Sequence, residues 1–136
     1  MVSFPPHPDP LPRGVWTSGV LAIQFGGRQC HEQGLYLKTP AGLVVITGCA
    51  HPGIVPMAEA ASRHAEAPVH TVLGGFHLGR ASDDQLGAVI LGLRKLGVEQ
   101  AAPSHCSGDK ARELMQAAFA DGYMPSGAGA RHVFAA

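Results

Sequence analysis

Residues 43–54 read LVVITGCAHPGI. Leu43, Val44, Val45 and Ile46 are apolar in succession, the pattern of a strand covered on both faces rather than one side wet. Thr47-Gly48 stops the run, and Cys49-Ala50-His51-Pro52-Gly53 forms a loop rich in turn residues. From Ile54 to Ala65 the spacing turns helical, with Val55, Ala58 and Ala61 on one side. These residues therefore predict a strand, a histidine-bearing loop and a helix in immediate succession.

The same unit recurs twice downstream. Val69–Leu73 is a β-branched run that ends at Gly74-Gly75, and His77 follows within the loop 74–79. Leu86, Val89, Ile90, Leu93 and Leu96 then fall at helical spacing over Asp83–Leu96, with Ser82 placed to cap the start and Gly97 at the position after the end. Val98–Ala102 reads as a third strand, the loop 103–108 carries His105, and Asp109–Ala120 reads as a third helix with Ala111, Leu114, Met115, Ala118 and Phe119 inward. Strand–helix alternation of this kind predicts an α/β layer with parallel neighbours and right-handed crossovers.

Upstream, Leu35–Lys38 and Leu43–Thr47 flank Thr39-Pro40-Ala41-Gly42 and read as a β-hairpin, which makes the sheet mixed. Val15–Phe25 reads as a strand or an irregular extended segment, closed by the turn Gly26-Gly27. Arg131–Phe134 is expected to add a last edge strand. Residues 1–14 hold five prolines and no period, the composition of a disordered leader, so the domain is assigned to residues 15–136.

Composition narrows the function. Ten basic and ten acidic residues cancel, and a neutral chain lacks the basic face that a nucleic-acid backbone requires. No apolar stretch is long enough for a membrane span, and the first residues lack the apolar core of a signal peptide. Three cysteines without CxxC spacing fit a reducing, cytoplasmic setting.

Chemistry concentrates in the three loops. Parallel strands would open His51, His77 and His105 at one sheet edge, where open α/β sheets bind ligands. Neutral imidazole is the commonest metal ligand, and three of them leave a coordination position for water. His51, His105 and His77 are therefore the expected metal ligands, with His77 alternatively contacting substrate. The same histidines could instead cap helices or satisfy loop backbone. Cys49 and Cys106 share the loops and could be zinc ligands, but the preferred reading is of small buried residues at strand ends. Cys30, beside His31 and Glu32, is read as structural or incidental. Asp109 is foremost a helix-start carboxylate and, as the one carboxylate close to these loops, the candidate for a catalytic proton-transfer role alongside His77. Ser104 and Ser107 lie outside any G-x-S-x-G elbow. His7, His64, His70 and His132 are read as solvated or satisfied.

Taken together, LVVITGCAHPGI (43–54), VLGGFHL (72–78) and PSHCSGDKA (103–111) resemble the metallo-β-lactamase-fold metallohydrolases, closest to the 7,8-dihydropterin-6-yl-methyl-4-(β-D-ribofuranosyl)aminobenzene 5′-phosphate synthase-like subgroup. Glu32-Gln33 and Gly127-Ala128-Gly129 fit the same pattern. The resemblance implies an αββα sandwich of which this chain is the C-terminal half. It implies one or two divalent metals, zinc-like, and water activation against a phosphate ester or related small molecule. A pterin-transferase-like activity is an alternative.

One departure stands out. The family's H-x-H-x-D-H ligand motif does not occur in this sequence, and the position before Glu32, commonly Asp, is His31. The chain is therefore expected to be truncated, half of a split enzyme, or a non-catalytic binding and assembly module. A stand-alone α/β protein without metal is a third reading. Half a sandwich leaves a sheet face bare, so a homodimer or an N-terminal half-domain partner is expected.

Overall fold

The structure, a computed structural model, describes Arg13–Ala135; the leader expected at residues 1–14 lies almost wholly outside the described residues. Seven strands and three α-helices follow in the order β1 (Val15–Thr17), β2 (Leu21–Phe25), β3 (Arg28–Glu32), β4 (Gly34–Thr39), β5 (Gly42–Thr47), α1 (Ile54–Ala65), β6 (Val69–Gly75), α2 (Asp83–Lys95), β7 (Gln100–Ser104) and α3 (Asp109–Phe119). A five-stranded mixed sheet runs β1-β4-β5-β6-β7, and β2-β3 form a separate two-stranded ribbon. β1, β4 and β5 are antiparallel neighbours, whereas β5, β6 and β7 are parallel.

The consecutive apolar residues of β5 have the predicted cause. The strand lies between β4 and β6, and Leu43, Val44 and Val45 are all buried. The registers Tyr36↔Val45, Val45↔Val72 and Val72↔Ala101 place these four side chains on one face. That face packs with Ile54, Met57, Ala58 and Ala61 of α1, Leu93 of α2, and Met115 and Phe119 of α3. Leu35, Ile46 and Leu73 sit opposite one another on the other face, and each is only partly buried. Among the described residues no helix is long and apolar enough to cross a membrane.

Helix α2 starts and stops as its ends predict. The Ser82 hydroxyl accepts from the Gln85 N–H while the Gln85 side chain accepts from the Ser82 N–H, a capping box. At the other end the Gly97 N–H donates to the Arg94 carbonyl and the Val98 N–H to the Leu93 carbonyl. Gly97 takes the left-handed φ of 81° that this closure requires. The closure also explains why the third strand begins at Gln100 and not at Val98: Val98 completes the helix stop.

Three further expectations are corrected. Val15–Phe25 is two strands on different sheets, and Leu21–Phe25 pairs with Arg28–Glu32 across the two-residue turn Gly26-Gly27. Both glycines have positive φ, 58° and 76°, as the favoured two-residue hairpin turn demands. Gly74-Gly75 does not end β6 but belongs to it. Arg131–Phe134 forms no strand; the free edge of β7 is met instead by Tyr123, bridged to Ala101, and by the Met124 N–H donating to the Ala101 carbonyl.

Candidate metal centre

The loops after β5, β6 and β7 leave the parallel strands at the same end, so the three histidines share one rim. Their offsets differ: His51 follows Thr47 by four positions, His77 follows Gly75 by two, and His105 follows Ser104 directly. In each loop a non-glycine residue adopts the left-handed region, namely Ala50 (φ 56°), His77 (φ 52°) and His105 (φ 49°). Such residues cost free energy, and the surrounding hydrogen bonds must hold them in place.

Those bonds are present. The Thr47 hydroxyl donates to the Gly75 carbonyl at 2.8 Å, and the Gly75 N–H donates to the Gly48 carbonyl at 3.0 Å. The buried Ser107 hydroxyl accepts from the Phe76 N–H at 3.1 Å and donates to the Ser104 carbonyl at 2.7 Å. Ser107 is thus a strut between the second and third loops. Glycine is required where the loops touch: a Cβ on Gly75 would lie 2.3 Å from the Gly48 carbonyl oxygen, and one on Gly108 would lie 2.7 Å from the Gly79 Cα.

Glu32, the last residue of β3, organises the first loop. Its carboxylate accepts from the backbone N–H groups of Cys49 (3.2 Å), Ala50 and His51 (3.0 Å), and from His51 Nδ1 at 2.9 Å. Burial by itself raises its pKa, but the hydrogen bonds from the His51 backbone and ring and from Ala50 outweigh that and hold the carboxyl below its ordinary value. An ionised Glu32 fixes the proton of His51 on Nδ1 and leaves the Nε2 lone pair free, the arrangement carboxylates give to metal-ligating histidines. The sequence offers a pointer here, Glu32 as part of the family pattern, but not its partnership with His51, because it is the register Gly34↔Thr47 between β4 and β5 that sets Glu32 beside the first loop.

The His51 and His77 rings lie together, with centroids 4.6 Å apart and planes tilted by 50°. Phe25, from the tip of the β2–β3 ribbon, touches both, at 4.6 Å from His51 and 4.9 Å from His77. His105 is placed differently. Its ring nitrogen, Cys49 Sγ and Cys106 Sγ all lie within 4.8 Å of one another, and among the described residues this is the group of three or more His, Cys, Asp or Glu donors that are so close. The rim therefore holds a His51–His77 pair and a Cys49–His105–Cys106 cluster. Asp109 is the first residue of α3 and is exposed, outside that donor group.

A cavity of about 540 Å³ opens on the rim, lined by Phe25, His77, Gly79, Arg80 and Cys106. A second, of about 470 Å³, is lined by His77, Leu78, Arg80, Ala81, Gln85, Ala88 and Val89. His77 and Arg80 line both. The Cys49 thiol is pushed up to about 11 by its burial and then by the neighbouring Cys106, with Glu32 and Cys30 adding to it, so without a cation it is protonated at neutral pH. Imidazole and thiol donors on a glycine-walled rim, one imidazole oriented by a carboxylate, suit a borderline divalent cation of the zinc type.

A solved structure of Tm1679, a metal-dependent hydrolase of the β-lactamase superfamily, superposes on 98% of this chain with a TM-score of 0.76 and 27% sequence identity. The chain has the fold of the metallo-β-lactamase superfamily hydrolases. The mixed sheet and three helices are those of a metal-dependent hydrolase fold. In sequence, the chain is 37% identical over 93 residues to 7,8-dihydropterin-6-methyl-4-(β-D-ribofuranosyl)-aminobenzene-5′-phosphate synthase of Methanocaldococcus jannaschii, a match that covers 68% of this chain and 32% of that protein. It is also 37% identical over 68 residues to an uncharacterized protein of the same organism, covering 50% of this chain and 25% of that one. The chain spans about half of the metallo-β-lactamase-fold neighbour, 56%, and a third or less of the two sequence relatives. No protein-family model matches the chain.

Proposed function

We propose that this metallo-β-lactamase-fold chain is a metal-dependent hydrolase-type domain acting on a phosphate ester or related small molecule. The observation that carries the reading is the Glu32–His51 contact at 2.9 Å, which presents an oriented imidazole beside His77 at the mouth of a cavity. His51 and His77 would hold the cation, and zinc suits the donors. A divalent metal supplies Lewis acidity towards a phosphoryl or carbonyl oxygen and eases deprotonation of water.

The chain's own groups would do the rest. Glu32 keeps the His51 proton on Nδ1. Arg80, which lines both cavities, offers a forked cation for a phosphate group. Phe25 supplies an apolar wall against the histidine pair. Asp109 remains the carboxylate to test for proton transfer.

Turnover of an aryl phosphodiester in the presence of zinc tests the reading. His51→Ala and His77→Ala are each expected to reduce it to background, and Arg80→Ala to raise KM with little change in kcat. Turnover unaffected by either histidine substitution defeats the proposal. A second reading, a non-catalytic binding or assembly module, is favoured by one specific observation: among the described residues, His51 and His77 belong to no group of three donors within 4.8 Å of one another. Metal binding with no turnover would select it. In either case we propose a partner, a second copy or an N-terminal half-domain, for the sheet face that bears Leu35, Ile46 and Leu73.

A further inference from the structure

Cys49 and Cys106 have no part in the proposed hydrolytic chemistry, yet the fold goes to some length to bring them together. They stand on loops that follow β5 and β7, with β6 between. The gap is crossed because Gly75 has no side chain: a Cβ there would lie 3.0 Å from Cys106 Sγ and 3.2 Å from the Cys49 Cα. The Cys106 thiol reaches over this glycine and donates to the Cys49 carbonyl at 3.6 Å. The strained φ of 49° at His105 belongs to the same turn, and its ring nitrogen falls within 4.8 Å of both sulfurs.

We propose that Cys49, His105 and Cys106 form a metal site with two sulfur donors and one nitrogen donor, selective for a thiophilic cation such as Zn²⁺. Tetrahedral zinc with bonds of about 2.3 Å to sulfur and about 2.0 Å to nitrogen needs donors roughly 3.5–3.8 Å apart. The three donors here are within 4.8 Å of one another, so movements of about an ångström bring them to bonding separation. Three protein ligands leave a fourth position open. Cys106 also lines the cavity of about 540 Å³, which gives a cation its route in. Thiolate donors favour zinc and softer ions over magnesium or calcium. The site extends the metal-binding part of the proposed function and does not rest on hydrolytic turnover.

Cobalt and zinc, added singly to the purified chain, decide the matter. Co²⁺ is expected to give a thiolate-to-cobalt charge-transfer band in the near ultraviolet, lost in Cys49→Ser with Cys106→Ser and kept in His51→Ala. On the unsubstituted protein, Zn²⁺ is expected to protect two of the three thiols from an aromatic disulfide reagent, leaving Cys30 reactive. This second measurement does not depend on how the variants fold. A band that persists in the double cysteine variant, or zinc that protects none of the thiols, overturns the proposal. The band reports on the thiols alone, whereas turnover in His51→Ala and His77→Ala reports on the hydrolytic reading, so failure of one is distinguishable from failure of the other.

Discussion

Replacing Glu32 by alanine would leave four donors without their acceptor: three successive backbone N–H groups and His51 Nδ1. The His51 tautomer would then be unspecified and the left-handed Ala50 unsupported. Losing such an orienting carboxylate lowers metal affinity by roughly 10–100-fold, and Glu32→Ala is expected to do so in a competition titration against a chromophoric chelator. Affinity equal to that of the unsubstituted chain would remove Glu32 from the site. Tyr36 gives a second prediction at this scale. Its hydroxyl is buried with no hydrogen-bond partner, the neighbouring Ser18 hydroxyl being engaged with the Gly19 carbonyl and the Gly34 N–H. Burial pushes the phenol up to about 12, against about 10 in an unfolded chain. Below pH ~10 both states keep the proton; between about 10 and 12 only the unfolded chain releases it, so stability is lost as pH rises through that window. Tyr36→Phe should flatten this alkaline loss in denaturant titrations and leave stability near pH 7 almost unchanged. A steep alkaline loss that survives the substitution would assign it to other groups.

Strands, helices and their loops carry most of what could be read from the sequence. The continuous apolar run of β5 and the helical spacing of α2 each have a single physical cause, so both emerge as read. The β2–β3 ribbon was hidden because Arg28–Glu32 is polar at nearly every position and its apolar partner alone looks like an irregular extended segment. The Gly26-Gly27 pair was the signal for it. The end of β6 was misplaced for a related reason: two glycines ordinarily break a strand, but here they stay in register so that the neighbouring loop can approach. That register makes Gly75→Ala costly. Its Cβ would sit 2.3 Å from the Gly48 oxygen, a backbone clash that no rotamer relieves, and a loss on the order of 3 kcal/mol is expected. Thermal or urea unfolding measures it; a loss below about 0.5 kcal/mol, the scale of ordinary surface substitutions, would mean that the loops are not locked together as described.

At the scale of the whole molecule, shared placement of the loops on one rim was legible from strand–helix alternation alone. The division of that rim into a histidine pair and a cysteine–histidine cluster was not. Sequence gives the order of the loops but not their unequal offsets, and these decide which side chain meets which. The partly buried row Leu35, Ile46 and Leu73 leads to a prediction of its own. Light scattering of the purified chain at micromolar concentration should give twice the 14.1 kDa chain mass, and Ile46→Lys should return it to the monomer. A soluble monomer from the outset would leave the face without the self-association argued for it.

The sheet itself serves as the ruler of the rim. Adjacent strands stand about 4.8 Å apart, and the His51 and His77 rings, on loops from neighbouring strands, repeat that interval at 4.6 Å. Cys49 and Cys106 are two intervals apart, nearly twice the reach, and meet only because the middle strand ends in a residue that occupies no space above it. A side chain added at Gly75 would press on Cys106 Sγ and on the Cys49 Cα, 3.0 and 3.2 Å from its Cβ, and wedge the two outer loops apart.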